Sequence, residues 1–411
     1  MSVPIERGFP AYRAVLRSPG VPLLALGAAV ASLPIGLLGL ALMLVVRDRG
    51  DAFTAGGLVV AGLGVGAVAG MLAQGRLIDR FGFRRVLLPA AAVRLAAGAA
   101  FLVGDRLPLP VAVGLVVVVG VGEPQVSNAL RAALPRLVDH ELRAAAAAVS
   151  ALMFELPVLV GPLLLTALLV LSTPATVVLV GIGSSAVGTC LFAASSSAAR
   201  PLWNTPAARP TGPPGSVLDP LRIPAVRQLV AIIAVQGLAV GVAQVASVAR
   251  VDAQGSTFGA GLLYAALTAG SLTGTTIAGS RWGRDTPAGT VPMLLLGLAV
   301  TTGTASIVPT QPLLAMCLLG FGLCAGPLVL RCFVALETTS GIDDAPTTAI
   351  TLLVAAGLAA TSAGAALAGW LVDAAGPSAP LVVAMATLLC AALATWASGR
   401  HRDLGRQQRR R

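Results

Sequence analysis

No lysine occurs in the 411 residues, histidine occurs only at His140 and His401, and charged residues of every kind make up 11% of the chain. A soluble protein carries about 25% charged residues, so too few charges remain here to cover a water-facing surface of this size. That excludes an ordinary soluble enzyme. Disorder is excluded by the apolar share, 56%, which is far above that of chains that stay unfolded. The five cysteines, Cys190, Cys317, Cys324, Cys332 and Cys390, are scattered through apolar stretches with no CxxC pair. Neither a disulfide framework nor a metal site is expected, and no cofactor is implied. A phosphate-binding loop needs a lysine, so an ATP-driven pump is excluded as well. Prenyl- or phospho-transferases in the membrane would need clustered carboxylates for a metal. Intramembrane proteases would need paired Asp, HExxH or a Ser/His couple. None of these occurs, and the chain is not expected to be an enzyme. The net charge of +11 comes from arginine alone, and its placement points to a membrane rather than to nucleic acid.

What the sequence does have is long apolar runs. A helix crossing the hydrocarbon core needs about 20 mostly apolar residues. Twelve such spans are expected: 21–46, 54–74, 86–104, 109–133, 144–170, 175–195, 226–249, 257–279, 289–308, 312–334, 346–371 and 378–398. Ser172-Thr173-Pro174 and Pro309-Thr310-Gln311-Pro312 split two charge-free stretches, as Pro and short polar clusters do. The alternation that barrel strands need is absent. The first run is too long for the core of a cleavable signal. Residues 5–17 read either as a short interfacial helix or as a frayed basic tail.

The arginines test this count. With twelve spans, 23 fall on the side that holds both termini. Four fall on the other (Arg47, Arg49, Arg106 and Arg250), and Arg94 lies inside span 3. The positive-inside rule then places both termini in the cytoplasm of a cell-membrane protein. The tail arginines Arg406, Arg409, Arg410 and Arg411 are expected at anionic headgroups.

The longest loop, 196–225, is rich in Pro, Ser, Ala and Gly and reads as a flexible linker. It divides the chain into a six-helix bundle at 1–195 and a second at 226–398, followed by a basic tail at 399–411. The two halves match in register. Gly57, Gly66, Gly70, Gly75 and Arg80 correspond to Gly261, Gly270, Gly274, Gly279 and Arg284, each pair 204 apart. Leu16-Arg17-Ser18-Pro19 and Leu221-Arg222-Ile223-Pro224 precede spans 1 and 7 at offset 205. Five matches in register with a Pro turn argue for a duplicated six-helix unit. Such repeats are typical of secondary transporters, and the glycines let helices pack closely in lipid.

After span 2 the sequence reads Gly75-Arg76-Leu77-Ile78-Asp79-Arg80-Phe81-Gly82-Phe83-Arg84-Arg85. This resembles the signature loop of the major facilitator superfamily, Gly-x-x-x-Asp-Arg-x-Gly-x-Arg-Arg, at the family's own position after the second of twelve spans. The resemblance extends over essentially the whole chain. It implies an all-α membrane protein of twelve helices in two six-helix pseudo-repeats. It also implies that Gly75, Asp79, Arg80, Gly82, Arg84 and Arg85 form a cytoplasmic gating motif, with Asp79 in a charge cluster or capping a neighbouring helix. Gly75 and Gly82 would allow the tight turn. The second copy departs, since Gly283 stands at the Asp position. Gly161-Pro162 in span 5 resembles the core of a motif associated with antiporters, although Leu164-Leu165 replaces its usual glycine pair. Equally, it reads as a plain helix kink. The arginine that many proton-coupled exporters carry before the Gly-x-Gly of span 4 is absent, because Val116–Val119 precede Gly120-Val121-Gly122.

A charge at mid-bilayer costs at least ~2.5 kcal/mol, which makes buried ionisable groups functional candidates. Glu123 in span 4 and Glu155 in span 5 are the candidates for proton coupling. A carboxylate that alternates between a buried and a wet setting can take a proton on one side and release it on the other. The competing reading is static: one of them pairs with Arg94, whose head otherwise snorkels to the cytoplasmic face. Gln125, Asn128, Gln236, Gln244, Tyr264 and Thr268 are candidates for a substrate cavity, and Arg331 is expected as an interfacial anchor ending span 10. The function expected is proton-coupled export of a small lipophilic or amphipathic molecule by a monomer in the lipid bilayer. Alternatives are import or facilitated passage of a small neutral solute, and a non-transporting scaffold or sensor.

Overall fold

The computed structural model describes the backbone of residues 9–104, 107–195, 219–254, 259–281, 289–337 and 346–409. Among the described residues there are helices and short 3-10 turns and no strands. The helices are α1 (Phe9–Arg17), α2 (Val21–Ser32), α3 (Pro34–Asp48), α4 (Phe53–Phe81), α5 (Phe83–Val103), α6 (Leu109–Val121), α7 (Val126–Ala133), α8 (Arg143–Leu171) and α9 (Pro174–Ser195). They continue with α10 (Pro224–Asp252), α11 (Gly259–Arg281), α12 (Thr290–Ile307), α13 (Gln311–Glu337), α14 (Pro346–Ala375) and α15 (Ala379–Arg409).

These are the twelve expected spans, two of them broken. Span 1 is α2 and α3, interrupted at Leu33 where Pro34 cannot continue the backbone ladder. Span 4 is α6 and α7, separated by residues 122–125. Among the described residues, ten spans are both long and apolar enough to cross a bilayer. The remaining two, α8 and α11, are helices of 29 and 23 residues. α1 realises the short helix expected before span 1, and its Val15 is buried. The linker 196–218 and the arginines at 282–288 and 410–411 lie outside the described residues.

The residues fall into two compact units. The first comprises residues 1–45 and 65–211, the second 46–64 and 212–411. Within the first, α2 packs on α9, and α5 on α6 and α9. Its apolar core joins α1, α2, α5, α7, α8 and α9 through Val15, Leu24, Leu87, Leu130, Val149 and Phe192. Within the second, α10 packs on α14 and α15, and α12 on α13 and α15.

The duplication read from the glycines is visible atom by atom. A Cβ at Gly66 would run into the carbonyl oxygen of Val117, and one at Gly70 into that of Val121. In the second unit a Cβ at Gly270 would strike the carbonyl of Leu319, and one at Gly274 that of Leu323. The same backbone-to-backbone approach therefore joins α4 to α6 and α11 to α13. Gly75 and Gly279, the next members of the register, both face open space.

Candidate functional site

The most polar constellation of the first unit surrounds the break in span 4. Pro124 has no N–H and pushes its predecessor out of the helical region. α6 therefore ends at Val121, and α7 restarts at Val126. Such a break orphans backbone groups, which cost about 1–3 kcal/mol each if left unpaired in an apolar setting. Gln74 of α4 takes them up. Its side chain, 4% exposed, donates from Nε2 to the carbonyls of Val121 at 2.9 Å and Glu123 at 2.8 Å. Its Oε1 accepts from the N–H of Gln125 at 3.3 Å. Gln74 can reach because Gly66 and Gly70 on the same face bring α4 against α6. On the other side, a Cβ at Gly122 would collide with the backbone of Ala90 and Arg94, so α5 also lies directly against the break.

Arg94 itself points into this node. It is 2% exposed, its Nη1 lies 3.6 Å from Glu123 Oε2, and its Nε has no hydrogen-bond partner among the described residues. The expectation that Arg94 snorkels is thus corrected: it sits mid-helix in α5 and is the counter-charge of Glu123. The Glu123 side chain keeps 22% of its surface exposed, so one edge of the pair stays open. Around it, Asn128 Nδ2 donates to Gln125 Oε1 at 2.9 Å, and the hydroxyls of Ser32 and Ser127 meet at 2.7 Å. This last bond ties the end of α2 to α7, beside the breaks in spans 1 and 4.

Gln74 was missed in reading the sequence, although a signal was there. It continues the stripe Gly66, Gly70 at four-residue spacing. Its counterpart in the second copy is the buried Ala278, and α13 there runs unbroken through Pro327. The polar node therefore belongs to the first repeat.

In the second unit, Gln244 Nε2 donates to Tyr264 Oη at 2.7 Å, joining α10 to α11. Gln236 lies two turns from Gln244 on α10 and is buried. Thr268 donates its hydroxyl proton to the carbonyls of Tyr264 and Ala265 in its own helix, which leaves the oxygen only as an acceptor. Gly161 touches Gly36 of α3, where a Cβ would lie 2.8 Å from the Gly36 Cα. Pro162 sits inside α8 with its carbonyl accepting from Thr166. Arg331 does not end its helix: α13 continues to Glu337, which places Arg331 six residues inside.

The signature segment is helical for most of its length. α4 carries through Asp79 and Arg80 to Phe81, and only Gly82 leaves the helix, at φ 80. Gly75 is inside the helix and makes no turn, which corrects the expectation that both glycines do. Arg80 stacks on Phe81 at 5.1 Å, and Arg84 and Arg85 are exposed at the start of α5. The side chains of Asp79 and Glu155 lie outside the described part of the structure.

With this geometry in hand, the family model described as Major Facilitator Superfamily matches residues 24–337, well over half of the chain. The chain belongs to the major facilitator superfamily. Solved structures share its fold at low identity. The human organic anion transporter TETRAN is 18% identical, with a TM-score of 0.60, covering 94% of this chain and 100% of that one. A bacterial homolog of the human lysosomal transporter Spinster, in an inward-facing and unoccupied conformation, is 13% identical with a TM-score of 0.66, covering 96% and 98%. The nucleoside transporter NupG is 13% identical, also with a TM-score of 0.66, covering 92% and 99%. Curated proteins give no significant sequence match. The superfamily is one of membrane transporters, and this member is a multi-pass membrane transport protein.

Proposed function

We propose that this member exports a small lipophilic or amphipathic molecule across the cytoplasmic membrane by alternating access, driven by protons carried on Glu123. The observation that carries the reading is the Glu123–Arg94 pair at the broken helix. The pair is separated by 3.6 Å without a direct hydrogen bond, and one carboxylate edge is exposed. An ion pair with an open edge can be dismantled by one proton, which a fully buried and bonded pair resists. Gln74 fixes the backbone of Glu123, so protonation changes the charge of the node without moving its frame. A single charge moved through 100 mV is worth about 2.3 kcal/mol, enough to drive accumulation. The scarcity of charge elsewhere in the spans favours a cargo without multiple charges. The arginine asymmetry supports cytoplasmic termini.

The test is proton flux in energised inverted vesicles carrying a pH-sensitive dye and challenged with a panel of lipophilic compounds. Compound-triggered collapse of the gradient is expected in wild type and is expected to be lost in Glu123→Gln. In Asp79→Asn, collapse is expected to be slowed. Collapse that survives in Glu123→Gln would remove Glu123 as the carrier. Wild-type silence to every compound, with the protein folded, would favour an importer or facilitator of a small neutral solute.

A further inference from the structure

α1 is too short to cross a membrane, since its nine residues rise only about 14 Å. Its depth is nevertheless fixed. Residues 18–20 alone separate it from Val21, where span 1 begins, and three residues reach no more than ~11 Å. That elbow is hydrogen-bonded. The Ser18 N–H donates to the Val15 carbonyl and the Val21 N–H to the Ser18 carbonyl, both at 3.1 Å, and Gly20 makes the turn at φ 82. A helix tied so closely to the start of a span lies at headgroup depth.

One face of α1 is spent on protein. Val15 is fully buried, and Ala11 and Ala14 pack with it on an apolar cluster that takes in Leu142 and Ala146. α1 touches α2, α8 and the 3-10 turn His140–Leu142 that precedes α8. The same cluster receives Ile78 and Phe83, which flank the signature residues Asp79 to Gly82.

The opposite face is uncovered. Tyr12 and Leu16, four residues apart, form an apolar row that is 36% and 40% exposed. Arg13 and Arg17, one position on, form a basic row beside it and are exposed too. Among the described residues neither guanidinium has an ion pair or a hydrogen bond. α1 has no carboxylate of its own. Asp139 and Glu141, in and beside the adjoining turn, pair with neither arginine. An apolar row beside a basic row at headgroup depth is the pattern of a helix lying in the interface, with apolar side chains at the acyl boundary and cations at phosphates.

We propose that α1 is a binding site for acidic phospholipid, with Arg13 and Arg17 on headgroup phosphates and Tyr12 and Leu16 against the acyl chains. The arginine-rich side, where the cytoplasmic leaflet carries acidic lipid, is the side on which α1 lies. That leaflet assignment rests on the proposed orientation; the lipid preference does not.

The reporter is Tyr12→Trp in the full chain, with Trp203, Trp282, Trp370 and Trp396 replaced by Phe. The protein is reconstituted in mixed bilayers of phosphatidylglycerol and phosphatidylcholine, one or the other brominated along its acyl chains. Bromine quenches tryptophan on contact, so the ratio of quenching reads which lipid occupies the face. A basic side chain at an acidic surface gains about fivefold in binding, and two gain up to about thirtyfold. A preference for phosphatidylglycerol in that range is expected, and 1 M salt is expected to reduce it. Arg13→Gln with Arg17→Gln, both at exposed positions, is expected to bring the ratio close to one, and Arg13→Lys with Arg17→Lys to keep it. Equal quenching by the two lipids in the reporter chain would overturn the site, as would a preference that survives the double Gln variant. Quenching by neither lipid would put this face in water and overturn it as well. None of these readouts depends on transport, so failure of the proposed export and failure of the lipid site are told apart.

Discussion

Gln74 shows how much one side chain can carry. Its amide satisfies two carbonyls and one N–H that Pro124 leaves stranded. Replacement by Leu, close in volume, strands the Val121 carbonyl and the Gln125 N–H and leaves the Glu123 carbonyl only the 3.4 Å bond from Gln125 Nε2, so the expected loss is several kcal/mol at ~1–3 kcal/mol per orphaned group. Thermal unfolding in detergent would show it as a lowered midpoint, while Gln125→Ala, which removes only the bonds to Asn128 and the Glu123 carbonyl, should shift it far less. Arg94 and Glu123 make a sharper case. Removing one member of a buried pair costs about 3–5 kcal/mol when the charge left alone is itself buried. Glu123 keeps an open edge, so Arg94→Gln should destabilise by less than that, and adding Glu123→Gln should recover part of the loss. Equal destabilisation by the double and single variants would count against a working pair. Glu123 is legible in the sequence as a charge inside a span, and Arg94 as either its partner or a snorkelling anchor. Hydropathy places a residue along a span but says nothing of the direction it faces. That direction is set here by Gly122, which lets α5 lie against the break.

At the level of elements, glycine spacing was the most legible signal, since five residues in register announced a contact that the structure repeats in both units. In lipid, apolar side chains gain little by leaving the hydrocarbon, so helices adhere through fit. Gly70→Val and Gly274→Val should each cost about 1–3 kcal/mol by overpacking. The expected phenotype is a chain that inserts normally but does not assemble, detected as undiminished membrane content with raised protease sensitivity. Gly75→Ala and Gly279→Ala should be silent by the same assay, because nothing stands where their Cβ would go. The signature segment was harder to read. Its spacing is that of a known loop, but helix propensity and packing carry α4 through Phe81, and the whole reversal falls on Gly82. At φ 80 and ψ 162 that backbone is almost closed to other residues, so Gly82→Ala should cost about 1–3 kcal/mol. The breaks in spans 1 and 4 follow from Pro34 and Pro124, yet Pro157, Pro162 and Pro327 stay inside helices. Proline marks where a helix can part; neighbouring side chains decide whether it does.

For the whole molecule, composition alone supplies the class, the apolar runs supply the count of spans, and arginine placement tests that count and orients it. The same placement makes a topological prediction. Thr173→Cys and Asp139→Cys, both at exposed positions, should behave oppositely toward an impermeant maleimide. The first should label in intact cells and the second only in inverted vesicles. The reverse pattern would invert the assignment of inside and outside. What the sequence could not show was that the boundary between compact units ignores the boundary between repeats. It runs through α4, between Gly64 and Val65. α4 is an unbroken rod of 29 residues, ~43 Å at 1.5 Å per residue, and a rod has no joint. If its two ends follow different bodies, the strain must be taken up as elastic curvature in the middle. There the sequence places Gly62, Gly64 and Gly66, and glycine is the residue that least resists distortion inside a helix. A helix without a joint would then give by bending over that stretch.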